Sequence, residues 1–127
     1  MILVASCVYI SLLRELKDPS KSLARLAEHD ELATCGVVRS EVMRGIRSVG
    51  LHAKLSQYFD CQIYLSTSNH IWEATERLAW EMDRKGIIIP LTDTLIAATA
   101  LEAEATVLTY DRHFKNIPGL HVLDRLP

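Results

Sequence analysis

Three acidic residues are placed where they could do chemistry: Glu41 in SEVMRGIR, Asp93 in IPLTDTLIAATAL and Asp111 in LTYDRHF. Asp93 opens a run of apolar and small residues. Asp111 closes the apolar, β-branched run Ala105–Tyr110. An apolar frame is a poor place for charge unless something positive sits there. Carboxylates gathered without thiolates or paired histidines are hard oxygen ligands, suited to Mg²⁺ or Mn²⁺ and not to structural zinc. An ion so held polarises a phosphoryl oxygen and supplies hydroxide from bound water. Repulsion among the acids also argues for a cation. Any one of them alone reads more simply as a solvated residue or a cap. Three at one rim are less easily explained that way.

The rim follows from the elements. Short apolar runs read as strands at Ile2–Ala5, Leu32–Val38, Ile63–Ser66, Ala105–Tyr110 and His121–Leu123. Between them the 3.6-residue period predicts helices. These are Val8–Leu16, Lys21–His29 after the Asp18-Pro19-Ser20 break, Ser40–Arg47 with Ser40 as cap, and Leu51–Phe59. The long amphipathic Asn69–Lys85 ends at Gly86, a natural stop. A last helix starts at Thr92-Asp93, with Thr92 as cap, and runs to Leu101. Its alanines and leucines imply burial against a sheet. Strands alternating with helices give an α/β fold, a three-layer α/β/α sandwich on a mostly parallel sheet of about five strands. Ligands in such sheets bind beyond the carboxyl ends of the strands. Glu41 lies three residues after the second expected strand, Asp93 opens a helix at that rim, and Asp111 lies just past the fourth strand.

The totals agree with one domain over residues 1–127. Hydrophobic residues make up 49% of the chain, enough for one sizeable core, and no apolar run approaches a membrane span. The start, MILVASCVYI, lacks a basic leader and reads as strand and helix rather than signal peptide. Cys7, Cys35 and Cys61 lack metal or redox spacing. They read as three buried free thiols in a reducing cytoplasm. The net charge of −2 gives no global sign of nucleic acid.

The chain resembles the PIN-domain family, and within it the VapC-like toxin ribonucleases of bacterial toxin–antitoxin pairs. The likeness spans the whole chain. It rests on MILVASCVYISLL, SEVMRGIR, IPLTDTLIAATAL and LTYDRHF. The resemblance implies the α/β/α fold and an acid quartet that binds Mg²⁺ or Mn²⁺ and cuts RNA phosphodiesters. Glu41, Asp93 and Asp111 match three of its positions. The fourth, an Asp at the end of the first strand, is Ala5 here. Ala5 cannot bind a cation, so the resemblance implies weakened metal binding and little or no cleavage. The motif around Ala5 is otherwise intact. Drift erodes several positions at once, so a deliberate substitution is favoured over a degenerate homologue.

Supporting residues follow from the same likeness. Ser6 reads chiefly as a helix N-cap, with a hydrogen bond to a ligand or phosphate as the alternative. Thr109 either orients the cluster or pairs within the sheet. Arg39, Arg44, Arg47 and Arg112 flank the rim as candidate RNA contacts, with solvated helix faces as the alternative. His113 reads as an exposed loop residue rather than a catalytic acid. Trp72 and Trp80 read as packing or a dimer contact. The resemblance further implies a homodimer and a cognate antitoxin whose C-terminal segment lies in a groove supplied by the two N-terminal helices. Three rivals remain. One is a natural PIN scaffold that holds a protein or RNA without cutting. Another is a receiver-like or phosphatase-like Mg²⁺ domain, disfavoured because neither early strand carries an aspartate. In the third, the acids are purely structural.

Overall fold

Runs of Ile, Leu, Val and Thr build the strands, and the helices between them bury apolar stripes on the sheet. The computed structural model describes residues 1–127. Strand β1 (Ile2–Val4) leads into α1 (Ser6–Arg14), α2 (Pro19–Ser22) and α3 (Ala24–His29). Then come β2 (Leu32–Cys35), α4 (Gly36–Met43), α5 (Val49–Asp60) and β3 (Ile63–Leu65). Helices α6 (Asn69–Arg84) and α7 (Leu91–Glu102) return the chain to β4 (Thr106–Leu108). A 3-10 turn, Arg112–Asn116, precedes β5 (Val122–Leu123). The sheet order is β3-β2-β1-β4-β5, and every pair is parallel. The expected α/β/α sandwich on five strands is what the chain forms, with β5 at an edge.

That order matters for the site. The chain winds outward from β1 to β3, then crosses back to β4 on the other side of β1. With right-handed connections, the outgoing and returning helices cover opposite faces. The direction reverses between β1 and β4, and this is where an open parallel sheet leaves a crevice at its carboxyl ends. Helix α1 packs on α4, α4 meets α7, and α7 packs on α6. Helix α7 is buried throughout Thr94–Ala100, as its nearly all-apolar sequence requires. It anchors the returning layer. No helix is long and apolar enough to cross a membrane.

Several local expectations are corrected. The second strand ends at Cys35, not Val38. Val37 and Val38 are β-branched and read as strand, yet they continue as helix because Val38 is wholly buried on α4. Ser40 is therefore mid-helix. The capping serine is Ser48, whose side chain accepts from the Leu51 N–H. The helix expected at Lys21–His29 is split at Leu23 into two short pieces. Pro90, not Thr92, holds the cap position of α7. Of the cysteines only Cys35 is buried; Cys7 is half-buried and Cys61 exposed. Gly86 does end the long helix, in a left-handed conformation (φ +76°) that glycine adopts freely.

Two buried side-chain oxygens have no partner, Thr34 Oγ1 and Gln62 Oε1. Thr34 is wholly buried on β2, and its hydroxyl makes no hydrogen bond. Such a group keeps its full desolvation cost, about 1–3 kcal/mol. Thr34→Val fills the same shape without the hydroxyl. It should raise the thermal midpoint by about 3–5 °C, read by circular dichroism. A fall would mean that the hydroxyl has a partner in solution.

Candidate active site

The site is built where strands end and helices begin. Ala5 ends β1 in extended geometry and holds the cap position of α1. Its N–H donates to the Leu108 carbonyl at 2.9 Å, and its carbonyl accepts from Val8 N–H at 3.1 Å. Register pairs Val4 with Leu108 and Leu3 with Ala33. Continued to the rim, it sets Ala5 between Thr109 and Cys35. Its methyl is buried.

Glu41 lies on α4, the sixth residue after Cys35 rather than the third after a longer strand. Ser6 is the first residue of α1, not its cap, and its hydroxyl donates to Glu41 Oε1 at 3.0 Å. The alternative reading of Ser6, a bond to a site acid, is the one seen. Asp111 caps the 3-10 turn. Its Oδ1 accepts from the His113 N–H at 2.9 Å and lies 2.8 Å from His113 Nδ1. Thr109 lies just past β4, and its hydroxyl accepts from the Asp111 N–H at 3.1 Å. The Cys7 thiol approaches the same hydroxyl at 3.4 Å. Asp93 sits in the first turn of α7, half-buried, and makes no hydrogen bond.

All three carboxylates are half-buried. The Asp93 carboxyl is held above its ordinary range, first by burial, then by the charges of Asp111 and Glu41. His113 pulls the other way. Yet no three His, Cys, Asp or Glu side chains lie close enough to enclose an ion as they stand. The donor set is carboxylate oxygen alone, which fits a hard divalent cation with water completing its shell. Mutual repulsion spreads such a set when no cation balances it.

The arginines divide. Arg39 is committed to the fold: it pairs with Asp60 at 2.7 Å, donates to Ser56 and lies over the Phe59 and Tyr64 rings. Arg44, Arg47 and Arg112 are exposed and form no ion pair. His113 is exposed as expected, but it lies on the 3-10 turn with its ring against Asp111. One residue escaped the sequence reading. Arg14 closes α1 on the wall that carries Glu41. Ile10, Leu13 and Arg14 fall at i, i+3 and i+4, a helical spacing that could have placed Arg14 there. Trp72 and Trp80 are not core packing. They stand about half exposed, with Arg84 over Trp80 at 5.0 Å.

A model of the PIN domain matches residues 2–120, which includes Ala5 and all three acids. The chain belongs to the PIN-domain family. It is VapC-like: it is 31% identical over 122 residues to Ribonuclease VapC19 of Mycobacterium tuberculosis, covering 94% of this chain and 97% of that protein. Its fold is that of VapBC2 from Rickettsia felis, solved bound to a promoter DNA fragment. That match has a TM-score of 0.79 at 24% identity and covers 97% and 98% of the two chains. DNA-bound VapBC from Salmonella typhimurium matches at TM-score 0.79 and 18% identity over 96% of each chain. VapBC-1 from nontypeable Haemophilus influenzae matches at 0.78 and 20% over 98% of each. These three structures speak for the PIN fold alone.

The crowding at Asp93 has a pH signature in the metal-free PIN domain. A carboxyl whose folded pKa is raised favours the fold below the ordinary carboxylate range. It loses that contribution as pH rises through the folded pKa. Asp93→Asn should therefore melt higher than the unaltered chain at pH 7 in EDTA. The gap should close as pH falls toward the ordinary aspartate pKa. A midpoint that is unchanged or lower at pH 7 would show that Asp93 is not crowded.

Proposed function

We propose that this chain carries the site of a metal-dependent endoribonuclease toxin held by a cognate antitoxin, with cleavage nearly abolished by Ala5. One observation carries the reading most: half-buried Asp93 feels the charges of Asp111 and Glu41 at the switch point, beside a strand end that offers only a methyl. The 31% identity to a protein named a ribonuclease supports the substrate class.

Glu41, Asp93 and Asp111 would hold Mg²⁺ or Mn²⁺. A bound ion supplies charge to a phosphoryl oxygen and lowers the pKa of its water. The rest is positioning by the chain. Ser6 fixes one oxygen of Glu41 and leaves Oε2 free. Thr109 and His113 fix Asp111 and leave Oδ2 free. Asp93 keeps both oxygens. Four carboxylates roughly neutralise two divalent ions, and three do not. Ala5 therefore weakens the ion's hold and leaves the attacking water badly placed.

An apolar groove is consistent with a partner surface. Leu13, Leu16, Pro19, Leu51, Leu55 and Tyr58 line an apolar groove of about 280 Å³ between α1, α2 and α5. Leu16 is 95% exposed and holds a left-handed backbone (φ +58°), which glycine would adopt at less cost. A fold that keeps leucine there is consistent with an apolar segment of the antitoxin covering it. The groove needs α1 and α2 but also α5, which the sequence reading did not include. The half-exposed Trp72 and Trp80 are consistent with a homodimer contact. The cytoplasm is the compartment that fits an RNA-cutting toxin.

Ala5→Asp should restore cutting. Total RNA is incubated with either chain in Mg²⁺ or Mn²⁺, with EDTA controls. Manganese binding is followed by calorimetry as a readout separate from activity. The expected result is cleavage by Ala5→Asp alone, stopped by EDTA, with manganese held at least about tenfold more tightly. Equal cleavage by the unaltered chain would overturn the disabled reading. If neither chain cuts nor binds manganese, the second reading moves ahead: a scaffold that holds protein or RNA without cutting, for which Ala5 is the motive.

A further inference from the structure

A second cleft opens from the Glu41 side of the rim. It lies between α1, α4 and α5 and has a volume of about 550 Å³. Leu13, Val42 and Ile46 give it an apolar wall, and Arg14 and Arg47 stand on it. Both arginines are exposed, and neither has a carboxylate within ion-pair distance. This separates them from Arg39, whose guanidinium is already engaged. Unpaired guanidinium groups beside an apolar wall match the two halves of a nucleotide. The fork binds phosphate in bidentate fashion and stacks on a base plane. The wall takes the π-face. Sequence-specific RNA recognition takes up unstacked bases, and Arg guanidinium planes are among the surfaces on which they stack. The volume lies within the range that holds a small ligand.

We propose that this cleft receives the nucleotide next to the scissile phosphate and selects its base, with Arg14 and Arg47 holding the flanking phosphates. The inference rests on the ribonuclease reading above. Glu41 belongs both to the carboxylate rim and to the cleft wall, so a strand seated at the acids can run on past Arg14 and Arg47. The net charge of −2 does not oppose this, because the basic groups are local.

The chain as it stands suits the test, since Ala5 should let RNA bind without being cut. Fluorescence anisotropy in Mg²⁺ buffer measures labelled RNA oligonucleotides, the four homopolymers and a random-sequence pool. Arg14→Ala and Arg47→Ala should each weaken binding about tenfold and lower the salt slope by about one. Arg14→Lys should keep the slope. Gly45 also lines the cleft, and a Cβ there would meet only the Val42 carbonyl at 3.7 Å, an ordinary contact. Gly45→Leu should fill the cleft and level the preference among homopolymers without changing the slope. Arg125→Ala, at the far terminus, should change nothing, and circular dichroism checks each fold. If the unaltered chain binds no RNA at all, the ribonuclease reading fails and this inference with it. If it binds RNA and the Arg14, Arg47 and Gly45 variants bind as before, only the cleft assignment fails. Competition by an acidic peptide that these variants abolish, with RNA binding untouched, would reassign the cleft to a protein partner.

Discussion

The constraint behind the site is the gathering of like charges at the edge of a sheet that buries them halfway. Asp93 bears most of it: burial and its two acidic neighbours raise its pKa together, and it makes no hydrogen bond in return. The fold tolerates this because the other two acids are held. Ser6 anchors Glu41, and Asp111 is bound through its own backbone and through His113. The rim is also where α1, α4 and α7 begin, and helix N-termini carry partial positive charge. The reversal of chain direction between β1 and β4 forces these features into one place.

Much of this was legible in the sequence because it depended on period and composition. The buried α7 followed from LIAATAL, and the parallel strands from short β-branched runs. The rim followed from the rule that sites lie past the strand ends. What failed depended on tertiary contacts. Val37 and Val38 have strand propensity, but burial of Val38 on α4 overrode it, and Glu41 moved from the first turn of its expected helix to the sixth residue of α4. Ser6 carries the composition of a cap; only the approach of α4 to α1 gives its hydroxyl a carboxylate. Arg39 looked like the other basic residues of its segment, and its commitment to Asp60 lies 21 residues away. Arg14 stood outside that segment, so counting charge along the chain passed over it.

The apolar groove and the nucleotide cleft share Leu13 and Leu51. The two proposed occupants would therefore meet on one ridge of α1 and α5. A segment seated in the groove, with Lys17 and Lys54 at its edge, would reach the border of the cleft without touching Glu41, Asp93 or Asp111. Inhibition by covering the RNA path would then need no contact with the metal ligands. It would also be indifferent to the residue at position 5, so the chain with alanine there would keep its hold on a partner.

Position 5 would do two jobs if it carried an aspartate. It is the cap residue of α1, and the alanine side chain caps none of the first-turn N–H groups; a side-chain cap is worth about 1 kcal/mol. The same carboxylate would add a fourth negative charge beside a rim that already raises the Asp93 pKa. In the metal-free state these effects oppose each other, so the fold has little at stake at position 5. Chemistry is affected differently. A cation offsets the repulsion and makes the strand-end carboxylate an asset, so the loss appears only when the ion is present. Alanine at this position thus separates folding from metal-dependent cleavage more cleanly than alanine at Glu41 or Asp111 would. Removing either of those would also strip a partner from Ser6 or from the 3-10 turn.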